Sequence, residues 1–420
     1  MQTDLAPEYR DTREGREADA ILRSCVHCGF CTATCPTYQI LGDELDGPRG
    51  RIYLIKQVLE GAPVTAKTQL HLDRCLTCRN CETTCPSGVQ YGRLLDIGRG
   101  IVETKVGRTT TAAAQRWSIR RALLSPTLFG TALSMARTFK GLLPRELAER
   151  IPGSDRAGDW PALRHSRKML VMEGCVQPAL KPNIDAATAR VLDRIGISTV
   201  RVAAGGCCGA LPHHLSADDE ARAIVRRNID AWWPLVHRGV EAIVVTASGC
   251  GVMVKDYGHF LAHDAAYAAK ANKIAELARD PIEIVTAEWK KIAPLIAMDQ
   301  GAQRVVFHSP CTLQHGMRIR GQVEEILLAV GHSLLPVTDT HTCCGSAGTY
   351  SMLQPELSGI LKTNKLKALE APRPDVIVTA NIGCLTHLES GTRTPVRHWI
   401  ELLDARMLNV QRGASRAGAG

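Results

Sequence analysis

Short apolar runs alternate with amphipathic stretches over the second half of the chain. Residues with helical spacing lie between those runs, and they are Ile184, Ala187, Val191, Leu192 and Ile195, then Val323, Ile326, Leu327 and Val330. Six β-like runs each lead into cysteine, and they are KMLVMEGC, STVRVAAGGCC, AIVVTASGC, RVVFHSPC, HSLLPVTDTHTCC and DVIVTANIGC. Strands that alternate with helices predict parallel βαβ units.

The cysteines of these runs form the same pattern twice. The first set is Cys175, the pair Cys207 and Cys208 before Gly209, and Cys250; the second is Cys311, the pair Cys343 and Cys344 before Gly345, and Cys384. The first interval is 32 residues in both sets, and the second is 43 and 41. This agreement predicts a tandem duplication.

Sites in parallel sheets gather beyond the carboxyl ends of the strands. We therefore expect the four cysteines of each set to converge at one sheet edge, where glycines allow close approach of the backbone. These glycines are Gly205, Gly206, Gly209, Gly249, Gly345 and Gly383. Convergent thiols predict a metal or redox site, and buried inert thiols are the alternative.

The N-terminal part has helical patterning instead. Residues 10–24 predict a short helix, and Arg51–Glu60 has apolar residues at 52, 54, 55, 58 and 59, which predict a helix with one buried face that ends at Gly61. Asp218, Asp219 and Glu220 indicate the start of another helix further along the chain. Residues 1–100 are thus expected to be mostly helical.

The strongest chemical signal in this part is C-x2-C-x2-C-x3-C-P, which occurs twice. The residues are Cys25, Cys28, Cys31 and Cys35 with Pro36, then Cys75, Cys78, Cys81 and Cys85 with Pro86. In bacterial two-cluster ferredoxins the fourth cysteine of each run ligates the cluster of the other run. We therefore assign Cys25, Cys28, Cys31 and Cys85 to one [4Fe-4S] cluster, and Cys75, Cys78, Cys81 and Cys35 to a second. A structural zinc site is the alternative, but it leaves one thiol of each run and the proline unexplained.

Residues 101–166 are predicted to form a basic amphipathic helical linker. From 101 to 168 there are 13 Lys and Arg against 5 Asp and Glu, and an apolar run from Ala122 to Ala136 is interrupted by Pro126 and Gly130. A membrane span needs about 20 apolar residues, so this run is too short. It predicts either a membrane-surface or partner-docking element around residues 116–144, or a helical hairpin packed between domains.

Composition and charge indicate the number of domains, the role of the thiols and the kind of partner. The chain has 420 residues with 45% hydrophobic content, which predicts two or three domains. Its 16 cysteines follow a polar N-terminus without an apolar signal segment, which favours metal-binding thiols in a reducing cytosol. The net charge of +9 lies mostly in the linker, and aromatic content is only 4%, so we expect no nucleic-acid partner.

With both halves in view, the chain resembles the iron–sulfur subunit of bacterial glycolate oxidase over nearly its whole length. The stretches that carry the resemblance are DGPRGRIYLIK, LDRCLTCRNCETTCPSGVQYG, TASGCGVMVKDYGH and NIGCLTHLESGTRTPVRHWIELL. The resemblance implies a helical two-cluster ferredoxin-like domain followed by two tandem α/β cysteine-rich (CCG) repeats, an α+β and α/β fold. The implied segments are 1–100, the linker 101–166, the CCG domains 167–300 and 301–405, and a flexible tail 406–420.

The resemblance also implies the function. FAD would belong to partner subunits that oxidise glycolate to glyoxylate, and this chain would carry electrons through two [4Fe-4S] clusters toward a quinone or another acceptor. The expected location is the cytoplasm, peripheral at the inner face of the cell membrane. Related chains serve D-lactate or anaerobic glycerol-3-phosphate dehydrogenases, which stay open as alternatives.

The cysteine-rich repeats depart from the wider CCG pattern, which often ends in C-x-x-C. Ala247 and Asn381 stand where the first of those cysteines would be. Four cysteines per repeat suffice for a further iron–sulfur cluster and disfavour heterodisulfide-reductase-like thiol/disulfide chemistry. The histidines near these cysteines are expected to be ordinary surface or capping residues, and they are His213, His214, His308, His315 and His341.

Overall fold

A computed structural model describes residues 1–142, 144, 151–153, 155–297 and 301–407. Residues 408–420, most of the expected tail, lie outside the described residues, as does part of the linker segment. The described part consists of a helical N-terminal region, a helical connection and two parallel sheets covered by helices.

The N-terminal region is helical, as the patterning predicts. Its helices are Pro7–Arg10, Arg13–Ser24, Phe30–Ala33, Pro36–Leu41, Pro48–Leu59, Ala66–Asp73, Asn80–Thr84 and Tyr91–Val106. The core lies between the three longest helices, where Leu22, Ile55 and Leu94 are fully buried. The last helix runs across residue 100, the boundary that the sequence suggests between domain and linker.

Two predicted helices of this region are confirmed with small shifts of their ends. The expected helix over 10–24 is Arg13–Ser24, which begins after Thr12 because the Thr12 hydroxyl accepts a hydrogen bond from the amide of Gly15. The expected helix over 51–60 is Pro48–Leu59, and Gly61 follows it with φ of +88°. Its buried face includes Arg51, a charged residue that apolar patterning does not assign to the core.

The linker forms two helices, Thr110–Leu124 and Pro126–Thr138, with a short 3-10 turn at Lys140–Leu142. They pack on each other, and the second also contacts the helix Gln177–Leu180. Phe129 and Leu133 of the second helix pack against the core of the repeats. The second helix has no buried residue at all. The segment is therefore a helical hairpin that rests on the first repeat and keeps one face open to solvent.

The two repeats form four-stranded sheets of identical topology. The strands are β1 Arg167–Met172, β2 Ile197–Arg201, β3 Ile243–Val245 and β4 Ala278–Arg279 in the first sheet, and β5 Arg304–His308, β6 Ser333–Leu334, β7 Val376–Thr379 and β8 Val396–His398 in the second. The strand orders are β2-β1-β3-β4 and β6-β5-β7-β8, and every pairing is parallel. The predicted βαβ units are confirmed, whereas β4 and β8, of two and three residues, are too short to be predicted from an apolar run.

Helices cover both sheets. They are Gln177–Leu180, Asn183–Arg194, Ala210–His214, Asp218–His237, Ser248–Lys255, Tyr257–Phe260, Ala268–Leu277, Pro281–Ala287, Trp289–Ile292, Gln322–Ala329, Tyr350–Leu353, Pro355–Glu370 and Ile382–Glu389, and residues 399–407 are also helical. One apolar core runs between the sheets and joins Val171 and Val244 of the first to Val306 and Val378 of the second. The two repeats are thus packed directly against each other.

Candidate functional site

Two cavities in the N-terminal region are walled by cysteine thiols. The first is lined by residues that include Cys25, Cys28, Cys31 and Cys85. The second is lined by residues that include Cys35, Cys75, Cys78 and Cys81. The fourth cysteine of each run therefore lies in the cavity of the other run. Cys81 lines the first cavity as well, so the two cavities are direct neighbours.

The local structure explains this exchange. Short helices, Phe30–Ala33 and Asn80–Thr84, follow the second cysteine of each run, and Gly29 and Arg79 before them have left-handed φ angles. Three thiols are thereby turned toward one cavity. The chain then leaves in extended geometry at Cys35 and Cys85, and Pro36 begins the next helix at its first position. Each fourth thiol is thus carried away from its own run.

The two cavities differ in their exposure to solvent. Cys28 in the first is exposed, and its neighbours Val26 and Phe30 are 68% and 62% exposed. Cys35 and Cys75 in the second are buried. Because burial and solvent access shift the potential of an iron–sulfur centre, two centres at these places would differ in potential.

The pKa of the Cys31 thiol is raised by its surroundings. Burial, followed by the neighbouring thiol of Cys25, raises the pKa of Cys31 to about 11. A free thiol of this kind stays protonated at neutral pH, whereas a bound metal takes the deprotonated form. The fit to a metal group rests on the donor set itself, because four thiols around one cavity are the ligands of a [4Fe-4S] cluster.

A buried positive charge lies beside the second cavity. Arg51 lines it, and the Arg51 guanidinium donates to the carbonyl of His71 at 2.7 Å and to the Thr37 hydroxyl at 3.2 Å. Burial lowers the pKa of Arg51, but Cys75 and the other negative groups around it raise that pKa more, so the group stays charged.

Asp46, the ionic partner of Arg51, also pairs with a second arginine. Asp46, fully buried, lies 3.5 Å from Arg51 and accepts a hydrogen bond from Arg74 at 2.8 Å. One carboxylate between two guanidinium groups leaves a net positive charge at the second cavity. The hydroxyl of Tyr91 also donates to the sulfur of Cys75 at 3.5 Å. Positive charge and hydrogen bonds to sulfur both favour the reduced state of an iron–sulfur cluster.

The four cysteines of each repeat are brought together beyond the carboxyl ends of the strands. In the second repeat the sulfur atoms of Cys311 and Cys343 lie 3.6 Å apart, and Cys344 contacts both Cys343 and Cys384. The first repeat has the same chain of contacts, from Cys175 through Cys207 and Cys208 to Cys250.

Backbone geometry at the paired cysteines is also duplicated. The amides of Gly209 and Gly345 each donate to the sulfur two residues earlier, at 3.4 Å in both repeats. Gly345 has φ of +89°, and a β-carbon there would lie 2.7 Å from the carbonyl oxygen of Ser358. Glycine is therefore required at this position for the paired cysteines to reach the site.

The second cavity adjoins the second repeat. Cys78, which lines that cavity, packs in one apolar cluster with Cys311 and Cys343. The Asn80 side chain donates to the carbonyl of His341 at 3.2 Å, and the Tyr350 hydroxyl donates to the carbonyl of Arg74 at 3.1 Å. The thiols of the ferredoxin-type region and of the second repeat are therefore held next to each other.

Asn381 links the sites of the two repeats. Its side-chain amide lies 3.5 Å from the sulfur of Cys384, and its oxygen accepts a hydrogen bond from the amide of Gly249 at 3.4 Å. Gly249 directly precedes Cys250. The residue that replaces an expected cysteine in the wider CCG pattern thus bridges one site to the other.

The expectation for the histidines was wrong at two positions. His308 and His315 are 1% and 3% exposed, so neither is a surface residue. The ring of His315 contacts the Thr83 hydroxyl at 2.8 Å, which places it between the ferredoxin-type region and the second repeat. Alternating apolar residues predict β5 but do not show which polar residue in it is buried.

Comparison with known proteins identifies the families of the domains. Residues 21–89 match the family model of a 4Fe-4S dicluster domain, and residues 169–255 and 305–389 each match that of the cysteine-rich CCG domain. Over 96% of its length the chain is 54% identical to the glycolate oxidase iron–sulfur subunit of Escherichia coli K12, and the match covers 98% of that protein. This chain belongs to the family of glycolate oxidase iron–sulfur subunits.

Other relatives are more distant. A probable glycolate oxidase iron–sulfur subunit of Bacillus subtilis is 28% identical over 88% of this chain and 89% of its own length. Lactate utilization protein A of Anoxybacillus flavithermus is 24% identical over 55% of this chain and 97% of its own length. The expected fold, a helical dicluster region followed by two tandem CCG domains, is confirmed.

As a member of this family the chain is an electron-transfer subunit of an oxidoreductase complex, and iron–sulfur clusters are its cofactors. The thiol-lined cavities fit that cofactor, because each offers at least four thiols around one space. Among the described residues, no helix combines the length and the apolar character that crossing a bilayer requires.

Proposed function

We propose that this chain takes electrons from separate FAD-containing subunits that oxidise glycolate to glyoxylate, and passes them toward a membrane quinone. The observation that carries the proposal is the continuous series of thiol groups from exposed Cys28, through the buried second cavity, to Cys311 in the second repeat. Iron–sulfur clusters bound there accept and release one electron at a time. The protein supplies the order, the burial and the charge around them.

We infer a crossed set of ligands for the two N-terminal clusters. Cys25, Cys28, Cys31 and Cys85 share the first cavity, and this supports their assignment to one [4Fe-4S] cluster. Cys75, Cys78, Cys81 and Cys35 share the second cavity, and this supports their assignment to the other. The exchange locks the two runs together, because neither cluster can be completed by one run alone.

The surface around the first cavity is the proposed contact for the flavin subunit. Val26 and Phe30 are large apolar side chains that remain exposed beside Cys28. Exposed apolar groups around a redox centre are typical of a protein–protein contact. This chain has no G-x-G-x-x-G sequence of the dinucleotide-binding type, which supports placing FAD on the partner.

The linker hairpin is the proposed contact with the membrane surface at the inner face of the cell membrane. Its exposed apolar side chains are Trp117, Leu128, Met135, Phe139 and Leu142. Arg121 stacks over the ring of Trp117, and Lys140 begins the 3-10 turn that follows the second helix, so basic groups accompany these apolar side chains. Such a face enters the interface of an anionic bilayer while its basic groups contact the headgroups.

Two experiments test these proposals separately. The native complex, purified without air, should lose visible absorbance on addition of glycolate; loss with D-lactate or glycerol-3-phosphate and not with glycolate would assign the chain to one of the alternatives.

For the membrane contact, flotation with phosphatidylglycerol vesicles should recover the complex. The double variant Leu128→Glu, Met135→Glu should stay unbound, and binding that survives this change would refute the hairpin contact while leaving the glycolate result intact.

A further inference from the structure

His308 is a buried polar residue without a hydrogen-bond partner. It ends strand β5, is 1% exposed, and neither of its ring nitrogens has a partner among the described residues. A buried polar group without a partner loses free energy that a metal bond or a hydrogen bond would recover. An occupant that binds imidazole is therefore expected next to it.

The groups around His308 are of the types that bind metal ions. A ring nitrogen of His308 and the sulfur atoms of Cys344 and Cys384 all lie within 4.8 Å of one another, and all three residues are buried. Around one tetrahedral zinc ion, with bonds of about 2.0 to 2.3 Å, neighbouring ligand atoms lie roughly 3.5 to 3.8 Å apart. The three atoms are thus within small side-chain adjustments of shared coordination.

The duplication provides an internal comparison. His308 stands three residues before Cys311, and Met172 stands three residues before Cys175 in the first repeat. Met172 is 4% exposed, so the same place in the fold accepts an apolar side chain. The histidine is therefore not needed to build the strand, and it makes the second site chemically different from the first.

A second buried histidine lacks the neighbouring ligands that surround His308. His332 also lacks a partner on both ring nitrogens, but it belongs to no group of neighbouring cysteine, histidine or acidic ligands among the described residues. The absence of a partner alone assigns no site. At His308 it coincides with two thiols.

We propose that His308 is a nitrogen ligand of the metal centre in the second repeat, together with Cys344 and Cys384. The first repeat then offers thiolates alone, whereas the second offers imidazole and thiolates. The proposal concerns this chain's own ligands, so it does not depend on glycolate being the substrate. Imidazole and thiolate suit iron of a cluster and a single zinc ion alike, and metal analysis separates these two occupants.

The test compares metal content and nitrogen coordination in air-free complex. His308→Leu removes the ligand at similar volume, His308→Cys replaces it with a thiolate, and His332→Leu is the control for loss of a buried imidazole. We expect His308→Leu alone to lose metal: about one zinc per chain if the occupant is zinc, or the iron of one centre if it is a cluster. His308→Cys and His332→Leu should retain it.

A spectroscopic readout keeps the test decisive if His308→Leu folds poorly. With an iron centre, pulsed electron paramagnetic resonance of reduced protein carrying ¹⁵N-histidine should show a strongly coupled nitrogen, and His308→Cys should lose it. With zinc, X-ray absorption at the zinc edge should show a nitrogen ligand that His308→Cys replaces with sulfur. Unchanged metal content in folded His308→Leu, or nitrogen coordination that persists in His308→Cys, would overturn the proposal.

Discussion

The side-chain amide of Asn80 donates a hydrogen bond to the backbone carbonyl of His341, at 3.2 Å, across the contact between the ferredoxin-type region and the second repeat. The same amide also donates to the carbonyl of Thr34 at 3.0 Å, and Asn80 is 3% exposed. One buried side chain therefore connects both cysteine runs to the second repeat. This fixes Cys78 beside Cys311 and Cys343 without any bond between the sulfur atoms themselves.

Asn80→Leu should weaken this connection. It removes the side-chain amide that bonds the partly buried carbonyls of Thr34 and His341, and the loss of such hydrogen bonds costs about 1 kcal/mol in the free energy of unfolding. Hydrogen exchange should accelerate in the peptides around residues 76–83 and 340–344.

The matched control is Asn228→Leu in the first repeat. Asn228 is fully buried and donates to the carbonyl of Cys207 at 2.7 Å and to the Tyr257 hydroxyl at 3.0 Å. Asn228→Leu should lower the free energy of unfolding by a similar amount but leave hydrogen exchange around residue 341 unchanged. Equal effects of both variants at residue 341 would mean that Asn80 has no specific role in the contact.

Cys35→Ser and Cys31→Ser should damage different clusters. Because Cys35 lines the second cavity and Cys31 the first, we expect Cys35→Ser to alter the spectrum of the buried centre and Cys31→Ser that of the exposed one. Electron paramagnetic resonance of the reduced variants distinguishes the two signals. If both variants lose the same signal, each run holds its own cluster and the crossed assignment is wrong.

Arg51→Met should lower the reduction potential of the second cluster. The change removes a buried positive charge beside Cys75, and positive charge stabilises the reduced, more negative state of a cluster. Arg51→Lys keeps the charge, so the reduction potential of its second cluster should lie between the values of Arg51→Met and of the unmodified protein. A redox titration followed by electron paramagnetic resonance measures the shift.

Lys56→Met provides the control for Arg51, since it removes a positive charge from the same helix. Lys56 pairs with Glu60 near the surface, away from the cysteines that line the second cavity. The reduction potential of the second cluster in Lys56→Met should therefore match that in the unmodified protein. A shift of the same size in both variants would point to overall charge, not to Arg51.

The cysteine spacing was enough to predict the two cavities, because a metal cluster dictates which thiols must meet. The apolar runs were likewise enough for β1 and β5, since a strand buried on both faces shows as a continuous apolar sequence. Arg51 could not be predicted, because it lies on the buried face of an amphipathic helix and is satisfied by Asp46, the Thr37 hydroxyl and the His71 carbonyl. His308 was misjudged because its neighbours Cys344 and Cys384 lie far from it in the sequence.

The contact between the N-terminal region and the first repeat should weaken in alkali. Burial lowers the pKa of His213, but the carboxylates of Asp96 and Asp218, at 3.5 and 2.7 Å, raise it more, to about 10. A raised histidine pKa gives stability that is complete below the unfolded value of about 6.5. That stability is lost as the pH rises toward 10.

His213→Gln isolates this effect. The melting temperature of the unmodified complex should exceed that of the variant at pH 6, and the difference should shrink steadily up to pH 10. A difference that stays constant over this range would show that His213 is not charged in the folded protein. Because Asp96 is ionised throughout the range, its own titration does not contribute.

The most direct test of the account is electron paramagnetic resonance of the native complex, frozen after anaerobic addition of glycolate. The account predicts signals of two magnetically interacting [4Fe-4S] clusters, about two spins per chain, together with about eight or more irons and matching sulfide. A colourless preparation that holds zinc in the place of iron, or clusters that glycolate leaves oxidised in an intact complex, would contradict it.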